Sequence, residues 1–197
     1  MDKVIECFAD KLVSYFGIHG YIDKTKESVY KYGTIVAIQS AINVVSTLIL
    51  GVVFGLFFEN LCFLIVFKIT RKFSGGFHFK KFIICFSSSI ILDIFFLLNF
   101  QLLLVYPIFH LVFYIELVSC IVIVVLSPVV NKNKFIKNKE YVVYKLITVI
   151  ICIVLLCISL FLVSKKSAFV YSVCMAIVFD AVSIILSSIT RTKQTRF

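Results

Sequence analysis

Charge is scarce in this chain of 197 residues: Asp, Glu, Lys and Arg together make up 15%, against about 25% in an ordinary globular domain. Set beside 61% hydrophobic residues and a mean hydropathy of +1.10, that scarcity excludes a water-soluble fold. Several signatures are also missing. There is no Walker A sequence for an ATPase, no GxSxG for a serine hydrolase and no HExxH for a zinc peptidase. The seven cysteines form an odd count with no CxxC pair and no metal-ligand spacing, so no metal or other cofactor is expected. The opening stretch carries charges throughout and lacks the apolar core and small-residue cleavage site of a secretory signal. The first insertion signal is therefore expected to remain as a span.

What the chain has instead is long apolar runs, at Thr34 to Phe67, Phe82 to Phe100, Leu102 to Val130, Val142 to Val163 and Ala168 to Ile189. A spanning helix needs about 20 mostly apolar residues, whereas a barrel strand shows about 10 alternating ones. The expected fold is therefore all-α, a polytopic membrane helical bundle of about six membrane segments. The run from Thr34 to Phe67 is too long for one upright helix and slightly short for two. It is expected to form a hairpin of shortened helices, or one full helix with a half helix or re-entrant segment. Gly51, Gly55 and the pair Glu59 and Asn60 are candidate turns, with the last pair favoured.

Basic residues orient the bundle, because Lys and Arg near span ends are retained on the cytoplasmic side. With six segments both termini are cytoplasmic, and 18 of the 20 basic residues fall on that side, leaving only Lys165 and Lys166 outside. The chain then reads as one integral membrane unit: a cytoplasmic interfacial segment over 1–32, a bundle over 33–190 and a cytoplasmic tail over 191–197. A net charge of +10 needs no nucleic acid, since loops near anionic lipid account for it. Near the amino terminus, Val4, Ile5, Phe8, Leu12, Val13 and Phe16 recur at helical spacing among charged residues. That pattern predicts an amphipathic helix lying on the inner membrane surface.

Chemistry concentrates in Arg71 to Cys85, "RKFSGGFHFKKFIIC". Most of the cysteines fall inside predicted helices, where a thiol is a small apolar side chain. Cys85 differs, being close to Lys80 and Lys81 and seven residues after His78. On one straight helix His78 and Cys85 would share a face about 10.5 Å apart along the axis. A thiolate and imidazole pair needs about 2.6 to 3.2 Å. The two must therefore meet through a turn, which Gly75 and Gly76 permit, and amides exposed in such a turn could serve an oxyanion. Arg71, Lys72, Lys80, Lys81 and a nearby helix amino terminus form surroundings that favour thiolate. The alternative for the same stretch is a basic loop between two spans.

That string closely resembles the signature of the accessory gene regulator protein B family, AgrB, which comprises membrane cysteine peptidases of Gram-positive bacteria. The signature is an arginine, a glycine pair within GGxH and a cysteine seven residues after the histidine, here Arg71, Gly75, Gly76, His78 and Cys85. The stretch "SPVVNKNK", Ser127 to Lys134, is similar to a later loop of the family, while Phe79 stands where many relatives have a small residue. The resemblance implies a thiol protease of the bacterial cell membrane that cleaves the carboxy-terminal tail of a quorum-sensing precursor. Cys85 would be the nucleophile and His78 its base, and the bound peptide would close to a thiolactone or lactone autoinducing peptide. It implies a short amphipathic AgrD-like precursor as partner, with membrane lipid around the chain and homodimerisation left open. A membrane peptide exporter without proteolytic activity is the alternative reading.

No motif supplies a third site member. Gln39 and Asn43 lie near the cytoplasmic end of the first span, and Gln39 is a candidate to orient the imidazole or to support the oxyanion, against a role in holding helices together. Asp93, His110, Glu116 and Asp180 are ionisable residues inside predicted spans. Counted from the span ends, Asp93 and Glu116 come out at similar depth and could form a cluster with His110. This is expected to be a structural hydrogen-bond network in preference to a route for peptide export. These residues are too deep to serve as the acid and base at Cys85.

Overall fold

The computed structural model describes residues 2–19, 21, 27–75, 82–105, 108–129 and 138–194. These form seven α-helices: α1 (Asp2–Ile18), α2 (Glu27–Val53), α3 (Phe57–Ser74), α4 (Phe82–Val105), α5 (Phe109–Leu126), α6 (Asn138–Ser164) and α7 (Phe169–Gln194). Five of them, α2, α4, α5, α6 and α7, are long and apolar enough to cross a membrane. α3 equals α5 in length at 18 residues but is more polar, with Glu59 in its first turn, Lys68, and Arg71 and Lys72 in its last. At 1.5 Å per residue it reaches about 27 Å, just under the thickness of the hydrocarbon layer. Large apolar side chains point outward on all of the membrane helices, among them Leu102, Val118, Ile153 and Phe161. Such a surface is stable against lipid and not against water.

The described residues gather into two compact units. The first holds α1, α2 as far as Leu50 and α4 as far as Ile94. In it, Ile5, Ala9 and Val13 repeat every four residues on α1 and are buried, while Val4, Phe8 and Tyr15 leave an apolar strip exposed beside them. α1 is thus amphipathic, as its spacing predicts. An ion pair of 2.5 Å joins Asp10 of α1 to Lys31 of α2, with both side chains about half exposed.

The second unit runs from Gly51 through α3 and from Phe95 through α5, α6 and α7. α7 is its central helix, with 56% of its spanning residues buried against 17% to 22% for α5 and α6. Small residues at Ser172, Ala176 and Ala181 let neighbouring helices approach its backbone. Around it runs a series of rings. Phe63 stacks on Phe96 at 4.4 Å and meets Phe179 edge-on at 5.7 Å, and Tyr171 lies edge-on to Phe100 and stacked on Phe109. Offset and edge-on pairs of this kind contribute about 0.5–1.5 kcal/mol each beyond area burial.

The long first run is divided at Phe54 to Leu56, not at Glu59 and Asn60 as expected. Gly55 adopts φ +68, and the Gly55 and Leu56 amides donate to the Val52 and Gly51 carbonyls at 3.1 and 2.9 Å. Glycine takes that conformation without a steric cost, which a side chain would incur. Glu59 is instead placed in the first turn of α3, where its charge complements the helix dipole, and Asn60 is fully buried on that helix.

At the far end of α5 the Lys145 ammonium of α6 donates to the Val124 carbonyl and, at 2.7 Å, to the Ser127 carbonyl. Carbonyls in the last turn of a helix have no intrahelical partner, and in a membrane protein each unpaired one is costly. Lys145→Met keeps the length and removes the donor. It is expected to destabilise the fold by about 1.5–3 kcal/mol, the range for a charged hydrogen bond, read as earlier thermal unfolding in detergent.

Candidate active site

The motif's residues divide between the two units. Cys85 is the fourth residue of α4 as described, a half-buried free thiol in the first unit. Its own carbonyl accepts hydrogen bonds from the hydroxyls of Ser88 at 2.9 Å and Ser89 at 3.0 Å. Both serines thereby spend their donors on the helix backbone, one turn beyond the cysteine. Gln39 is half-buried on α2, and no hydrogen bond joins it to Cys85. His78 and Gly76 lie outside the described residues, as do Phe79, Lys80 and Lys81.

Arg71, Ser74 and Gly75 belong to the end of α3, in the second unit, and this end is held at several points. One Arg71 guanidinium nitrogen donates to the Ser183 hydroxyl of α7 at 2.7 Å, and the guanidinium lies 5.4 Å from the centre of the Phe67 ring. The buried Ser74 hydroxyl donates to the Asp180 carboxylate of α7 at 2.7 Å. Asp180 and Ser183 are three apart on α7 and so share a face. Arg71 also acts electrostatically on the Asp180 carboxylate.

Gly75 ends the helix. Its amide still donates to the Arg71 carbonyl at 3.2 Å, but its φ is +83, which turns the chain off the helical path three residues before His78. The second stretch picked out in the sequence meets it here: Gly75 and Val129 form an isolated parallel bridge, and the Val129 amide donates to the Ser74 carbonyl at 3.0 Å. A β-carbon on Gly75 would fall 2.6 Å from the Val129 carbonyl oxygen. Glycine is required both by the backbone angle and by the space.

This contact was not legible in the sequence, where "RKFSGG" and "SPVV" are two separate motifs. Nor was the contact of Asp180 with the end of the motif's helix. Asp180 lies near the middle of α7, yet the end of α3 reaches it, so it lies beside Ser74 and Arg71. Among the other ionisable residues, Glu116 is fully buried and accepts a hydrogen bond from Ser159 at 2.8 Å. His110 is exposed at the start of α5, so it is no part of an interior cluster. Cys120, Cys152 and Cys174 are buried in the second unit, and the Cys174 thiol donates to the Val112 carbonyl, which suits packing. Among the described residues no group of three or more His, Cys, Asp or Glu is placed to hold a metal ion.

Apolar helices with outward-facing lipid surfaces, and a polar network closing on a glycine-broken helix, define a polytopic helical membrane protein in which α3 ends against α7. The sequence model of the family described as "AgrB: Accessory gene regulator B" matches residues 5–186. The chain belongs to the accessory gene regulator B family. It is 31% identical over 150 residues to AgrB-like protein 2 of Clostridium perfringens strain 13, covering 71% of this chain and 66% of that protein. It is 30% identical over 128 residues to an AgrB-like protein of C. perfringens strain SM101, covering 60% and 58%. The chain thus spans less than two thirds of the length of each relative, and both are named only for their likeness to AgrB. No solved structure matches it.

Proposed function

We propose that this chain is a membrane-embedded cysteine endopeptidase that trims and cyclises a short amphipathic precursor to a quorum-sensing peptide. The observation that carries the reading is the motif itself, GGxH with a cysteine seven residues on, in a chain whose family match extends over residues 5–186. Two features of the fold support it. Cys85 is a free, half-buried thiol, and α3 ends at Gly75, whose positive φ supplies a turn between Arg71 and His78 in the sequence.

In the proposed reaction His78 takes the Cys85 proton, and the thiolate attacks the carbonyl of the last residue of the future signal. The C–N bond breaks, the tail leaves as an amine carrying the proton from His78, and a thioester remains on Cys85. An internal thiol or hydroxyl of the peptide then attacks that thioester, its proton passing through His78, and Cys85 is released as the ring closes. Thioester exchange is near thermoneutral, so holding the two ends of the peptide together suffices to drive closure without ATP. Water must be kept from the thioester, or the product is a linear acid. The partner would lie along the inner membrane surface, within reach of α1, with both termini of the chain cytoplasmic in a bacterial cell membrane.

The test is reconstitution of the full chain in liposomes with a synthetic precursor, followed by mass spectrometry. The expected products are a free tail and a ring one water lighter than the linear acid. Intact precursor recovered on the opposite side of the membrane would replace the peptidase reading with that of an exporter.

A further inference from the structure

We propose that Asp180 is a positioning residue for this reaction, acting through Ser74 to hold the end of α3 where the chain departs toward Gly76 and His78; the inference rests on the peptidase reading above. Asp180 is fully buried near the middle of the central helix, where a carboxylate is expensive. One of its oxygens, Oδ2, takes the Ser74 hydroxyl at 2.7 Å, while Oδ1 has no hydrogen-bond partner among the described residues. Ser74 is itself fully buried and is the last residue of α3, a position whose carbonyl has no helical partner and whose turn would otherwise fray. That carbonyl receives the Val129 amide at 3.0 Å, so one residue is tied by its side chain to α7 and by its backbone to the segment after α5.

The chemical consequence follows from geometry. A hydrogen bond to a carboxylate is shorter and about twice as strong as one between neutral groups, and here it fixes the residue immediately before the helix-ending Gly75. His78 is four residues beyond Ser74. A displacement of about 1 Å in a catalytic arrangement costs about 100-fold in rate. Asp180 touches neither the substrate nor the reacting atoms in this account. Its effect should therefore fall on kcat and leave KM unchanged.

The experiment compares Asp180→Ala, Ser74→Ala and the double variant of the full chain in liposomes, with Asp180→Asn as the conservative change whose amide oxygen can still accept from Ser74. Each alanine variant is expected to lower kcat by about 100-fold with KM within about twofold, and the double variant to be no worse than the worse single one, because both remove the same contact. Asp180→Asn is expected to restore most of the rate. Hydrogen exchange at the Val129 amide supplies a readout independent of activity, and should quicken about tenfold or more when the charged hydrogen bond is lost. Losses that multiply in the double variant, wild-type kcat in Ser74→Ala, or unchanged exchange at Val129 would each overturn the proposal. If Asp180→Ala does not accumulate in membranes, Ser74→Ala and Asp180→Asn decide the matter alone. Tail release by a Cys85→Ala control would instead remove the peptidase reading, a result distinct from any of these.

Discussion

Cys85→Ala is expected to lower precursor cleavage by about four to six orders of magnitude, which is loss of the activity in practice. The reason is chemical and local. In the proposed mechanism alanine removes the sulfur that would carry the acyl group, while Cys85 is half-buried and forms no disulfide among the described residues. Folding should therefore be unchanged, and the variant should still bind the precursor. His78→Ala is expected to cost about 100-fold to 10,000-fold, the range for removing a general base, because a fraction of the thiol ionises without help. Combining the two should cost no more than Cys85→Ala alone, since the base has nothing left to activate. The checking measurement is single-turnover tail release at equal protein in liposomes.

Gly75→Ala is the second large effect, and it arises from the fold. The new β-carbon would fall 2.6 Å from the Val129 carbonyl oxygen, a backbone atom that cannot swing aside, in a residue whose φ of +83 already disfavours a side chain. Strain of that kind costs about 1–3 kcal/mol. The overlap adds about 1–3 kcal/mol more. Gly55→Ala provides the contrast, because φ is +68 there but nothing lies within 4 Å of the added carbon. It should carry the first cost and not the second. Thermal unfolding in detergent is expected to rank the proteins wild type, Gly55→Ala, then Gly75→Ala, with cleavage lost in the last alone. Equal unfolding of the two variants would show that the contact with Val129 is not the reason for glycine at position 75.

Much of this fold can be read from hydropathy alone. The runs at Phe82 to Phe100, Leu102 to Val130, Val142 to Val163 and Ala168 to Ile189 correspond to α4, α5, α6 and α7. The amphipathic pattern of α1 and the division of the first long run into two helices are also legible, because both follow from spacing and length. The turn in the first run was not. Polarity pointed to Glu59 and Asn60, but a buried asparagine inside a bundle can belong to a helix, and backbone freedom at Gly55 decided where the chain bends. The motif's neighbours were equally hidden. Asp180 and Val129 lie 106 and 55 residues from Ser74, and no local pattern announces a contact made by packing α3 against α7. Nothing in the spacing of either helix tells that α3 ends beside the middle of α7, where Ser74 meets Asp180.

The most direct test of the central claim is the intact mass of the protein after incubation with a precursor whose internal nucleophile is replaced by alanine, so that ring closure is blocked. The account predicts an adduct equal to the signal segment less one water, located at Cys85 by digestion and released by hydroxylamine, as a thioester requires. No adduct in wild-type protein that has released the tail, or an adduct that persists in Cys85→Ala, would contradict it.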